Sequence, residues 1–122
     1  MVDSARVRQL ALALPEVTDE SQGERLAFAV AGKGFAWTWN ERVDPKKPRR
    51  PRPDVLAVRC QLERKEMLVE AAPHAYFDED HYRGFPAVLV RLEAIEEAEL
   101  AALMAEAWRL KAPKRLSSGG RE

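Results

Sequence analysis

One cysteine, Cys60, and only two histidines, His74 and His81, stand in a chain of 122 residues. A lone cysteine excludes an internal disulfide framework and fits a reducing cytoplasm. Aromatic residues make up 7% of the chain, and no stretch of eighteen apolar residues occurs, so no membrane-spanning helix is expected. The N-terminus has no basic run followed by an apolar one, which argues against a secretory signal. An excess of charge is missing too: Lys plus Arg equals Asp plus Glu at 20 each. Attraction to nucleic acid would therefore have to come from a local patch. What is present suits a soluble, cytoplasmic domain, with 46% hydrophobic and 33% charged residues. The length fits a single core.

Val7, Leu10, Ala11 and Leu14 recur at the spacing of one helical face, and Asp3 and Ser4 are natural caps for such a helix. Pro15 disfavours helix beyond Leu14. Glu16 to Glu24 is polar and reads as a loop. Leu26, Phe28 and Val30 then alternate with small or polar neighbours, and Phe35, Trp37 and Trp39 do the same after Ala31-Gly32-Lys33-Gly34. This predicts a β-hairpin, since glycine accepts the positive φ of a tight turn. The bulky residues of both strands are expected on one face, beneath helices. That places Trp37 and Trp39 in the core.

Glu41 to Pro53 interrupts the pattern. Arg42, Lys46, Lys47, Arg49, Arg50 and Arg52 are interleaved with Pro45, Pro48, Pro51 and Pro53. Proline has no amide donor and a restricted φ, so a stiff, extended loop is expected. Asp54 to Cys60 returns to strand. Leu62 to Ala72 follows as a helix with Met67, Leu68 and Ala71 on one face. Tyr76-Phe77 reads as a brief edge strand and Ala87 to Leu92 as a longer one. A helix from Ile95 to Lys111 has Leu100, Leu103, Met104, Ala107 and Leu110 as its stripe. The order α-β-β-β-α-β-β-α predicts an α+β fold, a two-layer sandwich of an antiparallel sheet with helices on one face. The other face would carry Ala27, Ala29, Ala36, Thr38, Arg59 and Arg91. Residues 1–116 would form the domain and residues 117–122 a disordered tail.

Three segments extend this reading. They are Leu12-Ala13-Leu14-Pro15-Glu16-Val17, Val30-Ala31-Gly32-Lys33-Gly34-Phe35-Ala36, and the run from His81 to Leu92 with its later Ala107-Trp108-Arg109-Leu110-Lys111-Ala112-Pro113-Lys114-Arg115. In order and spacing they resemble the MmcQ/YjbR family, whose members have a CyaY-like α/β sandwich. The resemblance runs from Val7 to Leu116. It departs at Phe85, where many relatives have tryptophan, and at Gln22-Gly23, where many have histidine-glycine. It implies the fold and a DNA-binding label, and it brings no catalytic residues.

The basic, proline-rich stretch is the leading site, because cations on a donor-poor backbone suit phosphate contacts. If Arg42, Lys46, Lys47, Arg49, Arg50 and Arg52 all met duplex phosphates, log K would fall with log salt at a slope of about −5. The bland alternative is a solvated loop. Lys111, Lys114 and Arg115 could extend the patch or simply answer the helix dipole. His74 and His81 flank Asp78, Glu79 and Asp80, but at no spacing that converges on a metal. Glu96, Glu97 and Glu99 invite comparison with iron-binding frataxin-like proteins, yet they also suit a first helical turn, and the opening helix bears Arg6 and Arg8 instead of acids. Cys60 reads as structural. Ser4 looks like a cap, and Ser21 has no evident catalytic company. The expectation is a non-enzymatic protein without metal or cofactor that binds DNA or another nucleic acid through phosphates. The alternative is a small protein-interaction module.

Overall fold

A computed structural model describes residues 2–41, 44 and 46–119. The elements run α1 (Ser4–Leu12), β1 (Val17–Asp19), β2 (Ala27–Val30), β3 (Lys33–Glu41), β4 (Arg50–Arg59), α2 (Leu62–Ala71), β5 (Tyr76–Phe77), a 3-10 turn (Asp80–Tyr82), β6 (Ala87–Arg91), α3 (Glu97–Lys111) and α4 (Lys114–Gly119). The strands form a six-stranded antiparallel sheet in the order β1-β2-β3-β4-β6-β5. The α+β architecture anticipated from the sequence is the one observed.

Local chemistry sets two of the boundaries. Asp3 caps α1 by accepting the Arg6 amide at 2.8 Å, satisfying a first-turn donor. Ala31 and Gly32, both at positive φ, make the turn between β2 and β3. Two elements add to the sequence reading. β1 pairs with β2 inside the segment expected to be a loop, being too short to show an alternation. α4 takes in residues 117–119 of the expected tail, and residues 120–122 lie outside the described residues.

One layer of the core lies between helices and sheet. Val7, Ala11, Leu68, Leu100, Leu103, Met104, Ala107 and Trp108 pack there on Phe28, Val30, Phe35, Leu56, Val58, Tyr76, Val88 and Val90. Removing each such large side chain from water contributes about 1.5–3 kcal/mol. In α2 the buried positions are Lys65 and Leu68. Met67 is 61% exposed and Ala71 is exposed, contrary to the shared face expected. The short helix turns only a narrow stripe inward.

The hairpin departs from expectation in one consequential way. Phe28 pairs with Ala36 and Ala29 with Gly34, leaving Phe35 as an extra residue in β3. Side chains alternate with a period of two, so one inserted residue reverses the phase of everything after it. Phe35 and Ala36 both lie on the helix side. Trp37 and Trp39 pass to the opposite face. Ala36 and Thr38, expected on that opposite face, take their place beneath the helices, where the Thr38 hydroxyl accepts the buried Leu26 amide at 2.9 Å.

Candidate functional site

The basic stretch is more ordered than a loop. β3 continues to Glu41 and β4 starts at Arg50, so Arg50, Pro51 and Arg52 face Glu41, Asn40 and Trp39. The register then jumps, with Thr38 opposite Leu56, which leaves Pro53–Val55 outside the β3–β4 ladder. Pro53 cannot donate to a partner strand, and such a break accommodates it. At the hairpin tip Asp44 organises the backbone: its side chain accepts the Lys46 amide and its carbonyl the Lys47 amide, each at 2.9 Å.

The six expected contact residues fare differently. Arg42 lies outside the described residues. Lys46, Lys47, Arg49 and Arg50 are exposed, and none pairs with a carboxylate among the described residues. Arg49 donates to the Asn40 carbonyl at 3.0 Å. Arg52 is engaged: it donates to Glu41 at 2.8 Å and to both oxygens of Asp54 at 2.9 and 3.0 Å. Its guanidinium also lies 5.8 Å from the Trp39 ring centroid. Those two carboxylates balance its charge. A hollow of about 400 Å³ beside it is lined by Glu24, Glu41, Arg49, Arg50, Pro51 and Arg52.

The helix-free face is aromatic where small residues were anticipated. Trp39, Val55, Ala57 and Leu89 are buried there, with Trp37, Phe77 and Tyr82 packed against them. The rings meet edge to face: Trp39 with Phe77 at 5.6 Å, Tyr82 with Phe85 at 5.6 Å and Trp37 with Phe85 at 6.4 Å, a favoured geometry for aromatic quadrupoles. The Trp37 indole N–H donates to the Tyr82 hydroxyl at 3.0 Å.

Two guanidiniums lie over these rings. Arg59 sits 4.7 Å from the Phe85 centroid and 5.3 Å from that of Trp37, and donates to the Gly34 carbonyl at 3.3 Å. Arg91 sits 4.1 Å from the Phe77 centroid and donates to the Pro73 carbonyl at 3.2 Å. Neither has a carboxylate partner among the described residues. Arg59 and Arg91 were expected on this face, but the aromatic floor beneath them was not. The phase reversal at Phe35 hid it; the glycine pair at the turn was the available hint of an irregular register. Burial and the charge of Glu79 push the Tyr82 hydroxyl up from its ordinary pKa, while the Trp37 bond and the charges of Arg49 and Arg59 pull it back down.

The remaining candidates are committed elsewhere. Asp78 pairs with Lys65 and Asp80 with Arg83, while His74 and His81 are exposed. Among the described residues no cluster of three histidines, cysteines or acids gathers. Glu97 binds Arg6 and Glu99 accepts the Tyr76 hydroxyl. Arg115 pairs with Glu16. The Ser21 hydroxyl accepts the Ala27 amide at 3.0 Å. Cys60 is buried, and burial pushes its thiol up to about 11. No helix among the described residues is long and apolar enough to cross a membrane.

Comparisons with known proteins bear on the fold and the family. A crystal structure of Deinococcus radiodurans protein DR2400, a DUF419 domain, superposes with a TM-score of 0.67 at 22% identity over 99% of this chain and 86% of that one. That likeness concerns the fold. The uncharacterised proteins Rv2570 of Mycobacterium tuberculosis and Mb2600 of Mycobacterium bovis are each 45% identical over 67 residues, covering 54% of this chain and 52% of theirs. The chain thus spans about half the length of the curated relatives it matches. The YjbR family model matches residues 12–110, and the chain belongs to the YjbR family.

Proposed function

We propose that this chain is a non-enzymatic binding protein whose basic β3–β4 hairpin contacts nucleic-acid phosphates without reading sequence. The observation that carries this is the set Lys46, Lys47, Arg49 and Arg50, exposed on one hairpin and unpaired with carboxylates among the described residues. Arg52 serves as the rigid base of that hairpin, since Glu41 and Asp54 already answer its charge. Cations held this way supply the salt-sensitive, sequence-independent part of binding. The absence of enzymatic chemistry belongs to the same proposal: Cys60 is buried with a raised pKa and the Ser21 hydroxyl serves a turn. The single buried thiol supports a reducing, cytoplasmic setting.

Mobility shifts with labelled DNA across a salt series test this reading. Four phosphate contacts give a log–log slope of about −3.6 on duplex. The variant K46Q/K47Q/R49Q/R50Q is expected to abolish the shift at low salt. Equal retention of wild type and variant would overturn the proposal. A second reading, a protein-interaction module, draws on Leu62 and Met67, 44% and 61% exposed on α2. That module would leave nucleic acid unshifted.

A further inference from the structure

We infer that the helix-free sheet face binds single-stranded nucleic acid, with Arg59 and Arg91 as stacking and phosphate-contacting groups. This rests on the hairpin reading above and specifies its ligand.

The first argument is preorganisation. Each guanidinium is laid on an aromatic ring and anchored by one bond to a backbone carbonyl. An arginine held this way loses little side-chain freedom on binding and presents its outer plane and remaining N–H groups to solvent. No carboxylate among the described residues competes for either charge. An anion is the complementary ligand.

The second argument is position. Arg91 pairs with Val55, and Arg59 stands further along the same strand, opposite Ala87. The pair is therefore separated by about 13 Å along the sheet, at roughly 3.3 Å per residue. The exposed Arg49 and Arg50 lie beyond Val55, at the other end of β4. Cations thus stand at both ends of β4, Arg50 at its start and Arg59 at its end, with Arg91 at an intermediate level on the neighbouring strand.

Ligand class follows from what lies between them. A duplex offers phosphates outside and base edges in grooves, which a helix or ribbon must enter. The stretch between Arg59 and Arg91 is sheet floor rather than a helix or a projecting ribbon, and the basic β3–β4 hairpin lies outside it. An unpaired strand can splay its bases and stack them on planar guanidiniums, as RNA- and single-strand-binding proteins do. The half-buried Trp37 beneath Arg59 gives a spectroscopic reporter.

The test is fluorescence anisotropy with a labelled short oligothymidylate and a labelled duplex of equal length, with Trp emission followed in parallel. Wild type is expected to favour the oligothymidylate and to show quenching. R59Q/R91Q is expected to lose about tenfold or more on the single strand, with duplex affinity within twofold of wild type. The hairpin variant K46Q/K47Q/R49Q/R50Q should weaken both ligands. Loss on both ligands alike by R59Q/R91Q, or no loss on either, would overturn the inference and leave the hairpin reading intact. An inert hairpin variant would overturn the hairpin reading itself. Absence of binding by wild type to both ligands would overturn both. Should R59Q/R91Q fail to fold, R59K/R91K replaces it: charge and stem remain, the planar fork is gone, and the same selective loss is expected.

Discussion

The ammonium of Lys65, 4% exposed on α2, donates to the Tyr82 carbonyl at 2.6 Å and to the Phe85 carbonyl at 3.0 Å, and pairs with Asp78 at 2.9 Å. One helical side chain thus holds the loop that brings Tyr82 and Phe85 onto the sheet face opposite the helices. The charge is buried, yet each of its hydrogens has an acceptor, which is the condition for burying it.

Removing that group should cost more than an ordinary surface change. Lys65→Met leaves two carbonyls and a partly buried carboxylate unanswered, and we expect a loss of about 2–4 kcal/mol. Urea denaturation measures it. Trp37 emission should shift to the red as the Tyr82 bond loosens. Unchanged stability would mean the lysine is dispensable.

Thr38→Val probes the phase reversal directly. The shapes are similar, but the Leu26 amide loses its acceptor inside the core. A buried, unsatisfied donor costs about 1–3 kcal/mol. If Thr38 faced the open side, as alternation from Phe35 alone implies, the substitution would be nearly silent in thermal melts.

Cys60 should resist alkylation. Its thiol is buried and raised to about 11, so little thiolate forms near neutrality. Iodoacetamide is expected to label native protein slowly at mildly alkaline pH and urea-unfolded protein rapidly. Rapid labelling of the native form would contradict the burial.

The Arg52 network predicts an acid limb in stability. The bond from Arg52 holds the Asp54 carboxyl below its ordinary 3.8. A carboxyl depressed by folding stabilises the native state above its unfolded pKa, and that contribution fades as pH falls below about 4. Arg52→Gln should therefore lower stability at neutral pH and flatten the decline below about pH 4. Parallel acid titrations of the two proteins, followed by circular dichroism, would show it. Identical limbs would refute the role of Arg52.

Much of the framework was legible because it is local. The spacing of Val7 and Ala11, and of Leu100, Leu103, Met104 and Ala107, marks buried helical faces that the structure contains; Leu110, read into the same stripe, is 46% exposed. Ala31-Gly32 marks a turn because few other residues tolerate its backbone. The motifs from Leu12 to Arg115 pointed to the family by their order. The cations of the hairpin are simply written in the chain.

Pairing between distant residues lay beyond that reach. Whether Trp37 and Trp39 pack beneath the helices or into the second cluster on the opposite face turns on one extra residue at Phe35, which only the register with β2 reveals. Whether Arg52 presents its charge depends on Glu41 meeting it across the hairpin, beside Asp54 two residues along its own strand. Lys65 reads as a solvated helix residue until the carbonyls of Tyr82 and Phe85 are brought over it. Periodicity is a property of neighbours along the chain. Strand register and charge compensation are properties of neighbours in space, and tertiary packing alone chooses among them.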